Sequence, residues 1–450
     1  MIGREDALKA LDKVVSYAKN FEAVATLRGE DLSLTRYYQS HIHQNLKRHN
    51  QTLTVRAVRG KKSGLASTNL LDDGSLRWAV QSAYENMEVT GEDPEFPGLP
   101  KPEPIQDVAT YVPSTANLKP KDRAEACGVV ISLARQKGLG AAGTFSSAAY
   151  ETAAANTFGV RAYNASTEAF FRTIVESGDN TGYADRLTRD VRDIDYRAVA
   201  EEALAKATLF PQAIDLPPGR YDTVFEEYAL SDLIRFLGYI AFSAEAKQQG
   251  RSFMADRMGE KVMGDNVTIW DDGLDTRGLA VPFDAEGMPK RKVVFIDNGV
   301  ARGVAYDTRT AAKDGVKTTG HSAGGGMGGM RSGPMPGNML MATGNSSREE
   351  MIASTGRGLL VTRFHYTHCP EPVRVVATGT TRDGTFLIED GRIAARVKNL
   401  RFTESMVEAF GRIEAISRPA RITRDWWGTF SSVLPCLKVR EFTFTGATTF

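Results

Sequence analysis

The sequence predicts an α+β fold: an N-terminal α/β segment, a middle α+β segment and a large strand-rich C-terminal domain. Three observations lead there. Apolar residues recur at helical spacing in a few well-separated stretches, and short β-like runs divided by turn residues outnumber them. Prolines punctuate the chain at residues 93–120 and again at Pro217-Pro218-Gly219. With 450 residues, the chain is also too long for one ordinary core, which suggests about two or three domains at roughly 150 residues each.

The first element is a helix over residues 4–18, where Leu8, Leu11, Val14, Val15 and Ala18 share one face. Residues 22–27, 34–38, 42–47 and 53–58 read as short strands, with Arg59-Gly60-Lys61-Lys62 as a hairpin turn. A helix over 73–87 completes a domain at 1–92. Prolines 94, 97, 100, 102, 104, 113 and 120 then remove so many backbone donors that 93–119 reads as an extended connector. The middle domain, 120–215, opens on a helix with Pro120 in its first turn and Gly138 as its stop. Strands near 143–148, 153–158 and 167–175 follow, then a helix over 196–208. In the C-terminal domain, 216–450, helices near 230–242 and 348–354 alternate with runs such as Lys292-Val293-Val294-Phe295-Ile296.

A net charge of +1 leaves no field to attract a polyanion, so nucleic acid is not an expected partner. Cys127, Cys369 and Cys436, odd in number and scattered, argue against a disulfide framework and for a reducing compartment. No basic-then-apolar leader opens the sequence and no apolar run reaches eighteen residues, so the expectation is a cytoplasmic protein without membrane contact.

Several motifs compete for a chemical role. Gly320-His321-Ser322-Ala323-Gly324 matches the nucleophile-elbow pattern, but neither a buried strand before it nor a helix after it is expected. Only Glu349 or Glu350 with His365 or His368 would complete a triad in that order. Gly324, Gly326 and Gly329 have dinucleotide-loop spacing, yet Pro334 and Pro336 follow where a helix should start. The Gly/Met-rich stretch 320–341 therefore reads as a loop whose methionines suit a peptide or a partner. His41, His43 and His49 share parity along an unbroken strand, beside Lys47 and Arg48, and read as a solvated face. His365, His368 and Cys369 are the softer metal candidates, although a straight strand points the two imidazoles oppositely and Pro370 reads as its end. Arg382, Asp383, Glu389, Arg401 and Glu404 are candidates for holding a peptide or partner.

The segment from Gly219 to Asp272, with Thr223-Val224-Phe225-Glu226-Glu227 leading into Leu233-Ile234-Arg235-Phe236-Leu237-Gly238-Tyr239-Ile240, resembles the catalytic segment of the TldD/TldE (PmbA) peptidase family. Further similarity runs through Ile296-Asp297-Asn298-Gly299, Pro334-Met335-Pro336-Gly337-Asn338 and Asp383-Gly384-Thr385-Phe386. In zinc-bearing members of that family the helix carries His-Glu-x-x-x-His. Ungapped placement puts Arg235, Phe236 and Ile240 at its three functional positions, none of which can ligate zinc or act as base. Both imidazole positions would reach one metal only if the helix widened locally, as in a π-type turn that Gly238 would permit. Cys436 falls beyond the family's third ligand and reads as a buried thiol. The resemblance thus implies a TldE-like, non-catalytic subunit with no cofactor of its own. Its expected partner is a zinc-bearing TldD-like subunit in a heterodimer, or a second copy in a homodimer, acting on extended, unfolded or leader peptides. The alternatives are a homodimeric peptide-binding scaffold and a serine-type hydrolase using Ser322.

Overall fold

A computed structural model describes residues 1–324, 333–426, 428 and 431–448. The first half builds one antiparallel sheet of six strands, in the order Lys62–Thr68, His41–Arg59, Glu22–Tyr38, Gly140–Asn156, Arg161–Ser177, Asn180–Thr188. Strands from both sides of the proline-rich connector meet in it, through the ladder from Val24↔Asn156 to Tyr37↔Gly143. The division at 93–119 read from the sequence therefore does not separate two sheets. The connector instead lies along the assembled sheet, where Asn156 donates to the Pro100 carbonyl and Thr110 to the Ala165 carbonyl.

Odd-numbered residues of the two central strands point to one face, and four helices cover it. Arg4–Tyr17 and Asp73–Val89 pack over Ala25, Leu27, Leu53, Val55 and Ala153. Pro120–Gln136 and Tyr196–Thr208 pack over Tyr37, Phe145, Phe171 and Ala184. The Tyr196–Thr208 helix has the bounds its sequence predicts, because Asp195 caps it and its apolar residues recur at helical spacing. The strands are longer than expected. Residues 22–27 and 34–38 fuse into Glu22–Tyr38 because the polar residues between them are paired on both sides. A β-bulge at His43, where the pairing shifts between Arg36 and Tyr37, breaks the parity assumed for His41, His43 and His49.

The second half is a mixed sheet of twelve strands. Its centre runs Met339–Met341, Ser431–Ala447, Gly219–Phe225, Arg357–Glu371 and Val376–Glu389. Phe225, Phe364, Phe402 and Phe442 cluster in its core in tilted and edge-to-face contacts. The strand Arg357–Glu371 continues through Pro370, contrary to the expected stop, since its far end sits beyond a bulge at His365–His368. Among the described residues no helix is long and apolar enough to cross a membrane.

Candidate functional site

The helix Glu227–Phe236 follows directly from the central strand Gly219–Phe225 and is sheltered on every side, Arg235 alone being partly open. After Phe236 the backbone widens into a π-turn, Leu237–Ala241, with the Phe242 N–H donating to the Leu237 carbonyl at 2.9 Å. Gly238 is buried inside that turn. The local widening expected near Gly238 is thus present between positions 235 and 240. Arg235 Nε lies 3.6 Å from the buried Asp425 carboxylate, and its guanidinium covers the Phe236 ring at 4.4 Å. Ile240 packs on the C-terminal core. An arginine, a phenyl ring and an alkyl group offer a metal no lone pair, and the cation repels it.

A buried ionic network fixes the start of this helix. Lys206 Nζ is 2.6 Å from Glu226 and 3.0 Å from Glu202, Arg348 is 2.6 Å from Glu226, and Arg421 reaches Glu227 at 3.1 Å and the Tyr228 hydroxyl at 3.0 Å. Cations and carboxylates alternate, so the charges of the buried Glu226, Glu227 and Lys206 are compensated, with Arg348 and Arg421 partly open to solvent. The network ties the helix to Tyr196–Thr208 of the first half. Cys436 lies beside it, and burial together with the charges of Glu227 and Glu226 pushes its thiol far above its ordinary range. Without a metal, such a thiol stays protonated.

Between the helix-free face of the six-stranded sheet and this part of the C-terminal domain opens a groove of about 830 Å³. Leu32, Leu34, Tyr150, Phe170 and Arg172 come from the sheet, Tyr228, Ser231 and Asp232 from the helix, Arg363 and Arg424 from the strands beyond, and Trp426 from the turn after Arg424. Arg424 pairs with Glu168 and Arg363 with Asp383, while the Tyr183 hydroxyl donates to Asp185 at 2.5 Å. Burial raises the Asp232 carboxyl to about 6, against the opposing Trp426 N–H bond and the Arg235 charge. Burial also raises Asp185, despite the Tyr183 bond. The groove thus combines apolar walls, aromatic rings and partly compensated charge, a lining suited to extended chains with mixed side chains.

The other sequence candidates scatter. Asp383 is buried against Arg363 and accepts from Thr181 at 2.6 Å; Arg382 is partly exposed beside it. Glu389 stands on the surface near Arg357, at the opposite end of the strand. Glu404 is buried, receiving Arg412 and the Thr443 hydroxyl, while Arg401 is exposed near Thr378. These five do not form one site. His365 lies edge-on to Trp426 at 5.5 Å, His368 is exposed, and the Cys369 thiol points to the Glu371 carbonyl. Burial lowers His365 and raises Cys369 to about 11. Among the described residues no three His, Cys, Asp or Glu side chains are placed to hold a metal. His49 pairs with Asp31, His41 turns to the Gln39 carbonyl, and His43 borders the groove. The Ser322 N–H donates to Asp284, and neighbouring His321 is committed to Asp271 and Thr319. Residues 325–332, with Gly326, Gly329, Met327 and Met330, lie outside the described residues, so the glycine pattern is not placed. The groove residues Arg172, Tyr183, Asp185, Asp232 and Arg363 were not found from the sequence. Their signal was an ionisable residue inside an apolar run, as in Leu359-Leu360-Val361-Thr362-Arg363-Phe364.

Residues 218–446, just over half of the chain, match the family described as the PmbA/TldA metallopeptidase C-terminal domain. A Haemophilus influenzae protein named as a metalloprotease TldD homologue is 27% identical over 237 residues, 51% of this chain and 47% of that one. The chain therefore spans about half the length of that relative. A TldD homologue of Buchnera aphidicola is 23% identical over 415 residues, covering 84% of each chain. In structure, TldE of Thermococcus kodakarensis superposes with a TM-score of 0.89 at 19% identity, covering 97% of this chain and 100% of that one. With its C-terminal half matching the family and its whole length sharing the TldE fold, this chain belongs to the PmbA/TldD family.

Proposed function

We propose that this chain is a TldE-like, non-catalytic subunit of a peptidase complex, which walls a peptide chamber while a zinc-bearing TldD-like partner supplies the metal, the base and the water. The observation that carries the reading is the Arg235–Asp425 ion pair on the widened helix. It supports a scaffold whose special backbone is kept and whose metal position is filled by an internal cation. The groove beside it supports a role in holding extended peptides.

The test is to purify the native complex from an untagged source and measure partners, zinc and peptide cleavage. A complex with a TldD-like chain, zinc on that chain alone, and cleavage lost on separation are expected. Stoichiometric zinc on this chain by itself would overturn the reading, as would a homodimer that ignores every TldD-like chain; the latter outcome indicates a peptide-binding scaffold.

A further inference from the structure

We propose that one corner of the groove, formed by Arg172, Asp185, Arg363 and Trp426, is a binding site for a neutral carboxamide, supplied either by a main-chain peptide unit or by an Asn or Gln side chain. The proposal rests on the groove being peptide-facing and names the chemistry it selects. Arg172 and Asp185 stand directly opposite each other in the ladder between Arg161–Ser177 and Asn180–Thr188, and both face the groove. The Arg172 guanidinium lies over two rings, 5.5 Å from Phe170 and 5.3 Å from Trp426. Arg363 shares the Trp426 ring, at 4.7 Å, and lies 4.6 Å from a third ring, Tyr183.

Two buried atoms here have no hydrogen-bond partner. Asp185 is 3% exposed, its Oδ2 taking the Tyr183 hydroxyl while Oδ1 is left unmade. Arg363 is 4% exposed, its Nε donating to Asp383 while Nη1 is left unmade. A buried acceptor and a buried donor left open in one corner are unfavourable until something fills both. A carboxamide brings an N–H for Asp185 and a C=O for Arg363 or Arg172, and its plane suits a surface of stacked rings and guanidiniums.

Charge decides between ligand classes. In this corner two cations, Arg172 and Arg363, stand against two carboxylates, Asp185 and Asp383; Asp232, beside Trp426, is a third acid, which burial shifts toward its neutral form. A ligand carboxylate would add an unbalanced anion beside Asp185, and an ammonium would add a cation beside two guanidiniums. A neutral dipole adds neither.

The experiment is calorimetric titration of the isolated full chain with acetyl-Ala-Ala-Gln-Ala-Ala-Ala-amide. Its comparators carry Ala, Glu or Lys in place of Gln, or a methyl group on the Gln main-chain nitrogen. If the Gln side chain is the source, the Glu and Lys peptides are expected to bind at least 10-fold more weakly than the Gln peptide. If the side chain is the source, the Ala peptide weakens about 10-fold; if the main chain is, the N-methyl peptide does. Asp185→Asn gives the site one excess positive charge and should move the preference to the Glu peptide; Arg172→Met should move it to the Lys peptide. Either variant suffices should the other not fold. Equal binding of the Gln, Ala and N-methyl peptides, or a wild-type preference for Glu, overturns the proposal. No partner or catalysis enters the readout, so failure to find a TldD-like complex leaves this result standing, and an active complex does not rescue it.

Discussion

At the scale of single residues, position 235 sets the charge next to a buried acid. Arg235 neutralises a carboxylate that water does not reach, so removing it leaves Asp425 buried without that charge, a loss of about 3–5 kcal/mol by analogy with other broken buried pairs. Restoring the family motif through Arg235→His, Phe236→Glu and Ile240→His should therefore be made with Asp425→Asn as a folding control. The π-turn Leu237–Ala241 already supplies the widened backbone, so zinc should bind with micromolar affinity, about −8 kcal/mol. Peptide cleavage should stay at background, because two imidazoles without a further protein ligand hold the metal too loosely to position its water for the restored base. Zinc titration against a competing chelator and a peptide hydrolysis assay check this; full activity would show that a further ligand is in place. That positions 235, 236 and 240 hold Arg, Phe and Ile is read from sequence alone; their match to the family motif is what the resemblance implies. That Arg235 answers Asp425 was not legible there, because the two meet only through the tertiary fold. For the same reason Asp383, singled out for a peptide, proves to be the counter-ion of Arg363.

At the scale of elements, the first half shows how helices set the sheet's composition. Both outer strands carry a glycine under a helix. A Cβ on Gly64 would lie 2.2 Å from the Met87 nitrogen, and one on Gly182 would lie 2.0 Å from the Ala203 carbonyl oxygen. Backbone atoms cannot yield as the tip of a side chain can. Gly182→Ala is expected to destabilise by about 1–3 kcal/mol or more, as overpacking does. Gly128, inside the helix Pro120–Gln136 with nothing near its Cβ position, is the contrast. Gly128→Ala should stabilise by about 0.5–1 kcal/mol through helix propensity. Urea unfolding of the two variants checks both signs; equal effects would mean that the helix and sheet do not approach as closely as described. Helices were legible because caps and apolar spacing act locally, as at Asp195 and the helix it begins. The long strands were not, because one face of Glu22–Tyr38 lines an open groove and carries polar residues that interrupt the alternation.

At the scale of the whole molecule, buried acids on both sides of the groove make stability depend on pH in a calculable direction. Desolvation raises Asp232 to about 6 from an ordinary value near 3.8, and it raises Asp185, Asp284 and Glu286 as well. For each of these the folded chain holds its proton more tightly than the unfolded one, so stability falls as pH rises from the ordinary carboxylate range through the raised value. Asp271 works in the opposite sense. Burial alone would raise it, but the bond and charge of His321, with the Asn338 N–H, bring it to about 2, so its contribution is present above pH 4 and lost as pH falls toward 2. The two trends place maximum stability on the acid side of neutrality. Asp232 alone, shifted by roughly two units, is worth about 3 kcal/mol across the window from pH 4 to 6. Asp232→Asn keeps an acceptor for the Trp426 N–H and removes the titration, so it should flatten the decline between pH 4.5 and 6.5 while leaving the acid limb unchanged. Unfolding midpoints measured at constant ionic strength across pH 3–8 decide this. A wild-type stability that rises through pH 4.5–6.5, or a slope there that the substitution does not alter, would show that water reaches Asp232 and that the groove floor is not closed beneath the helix.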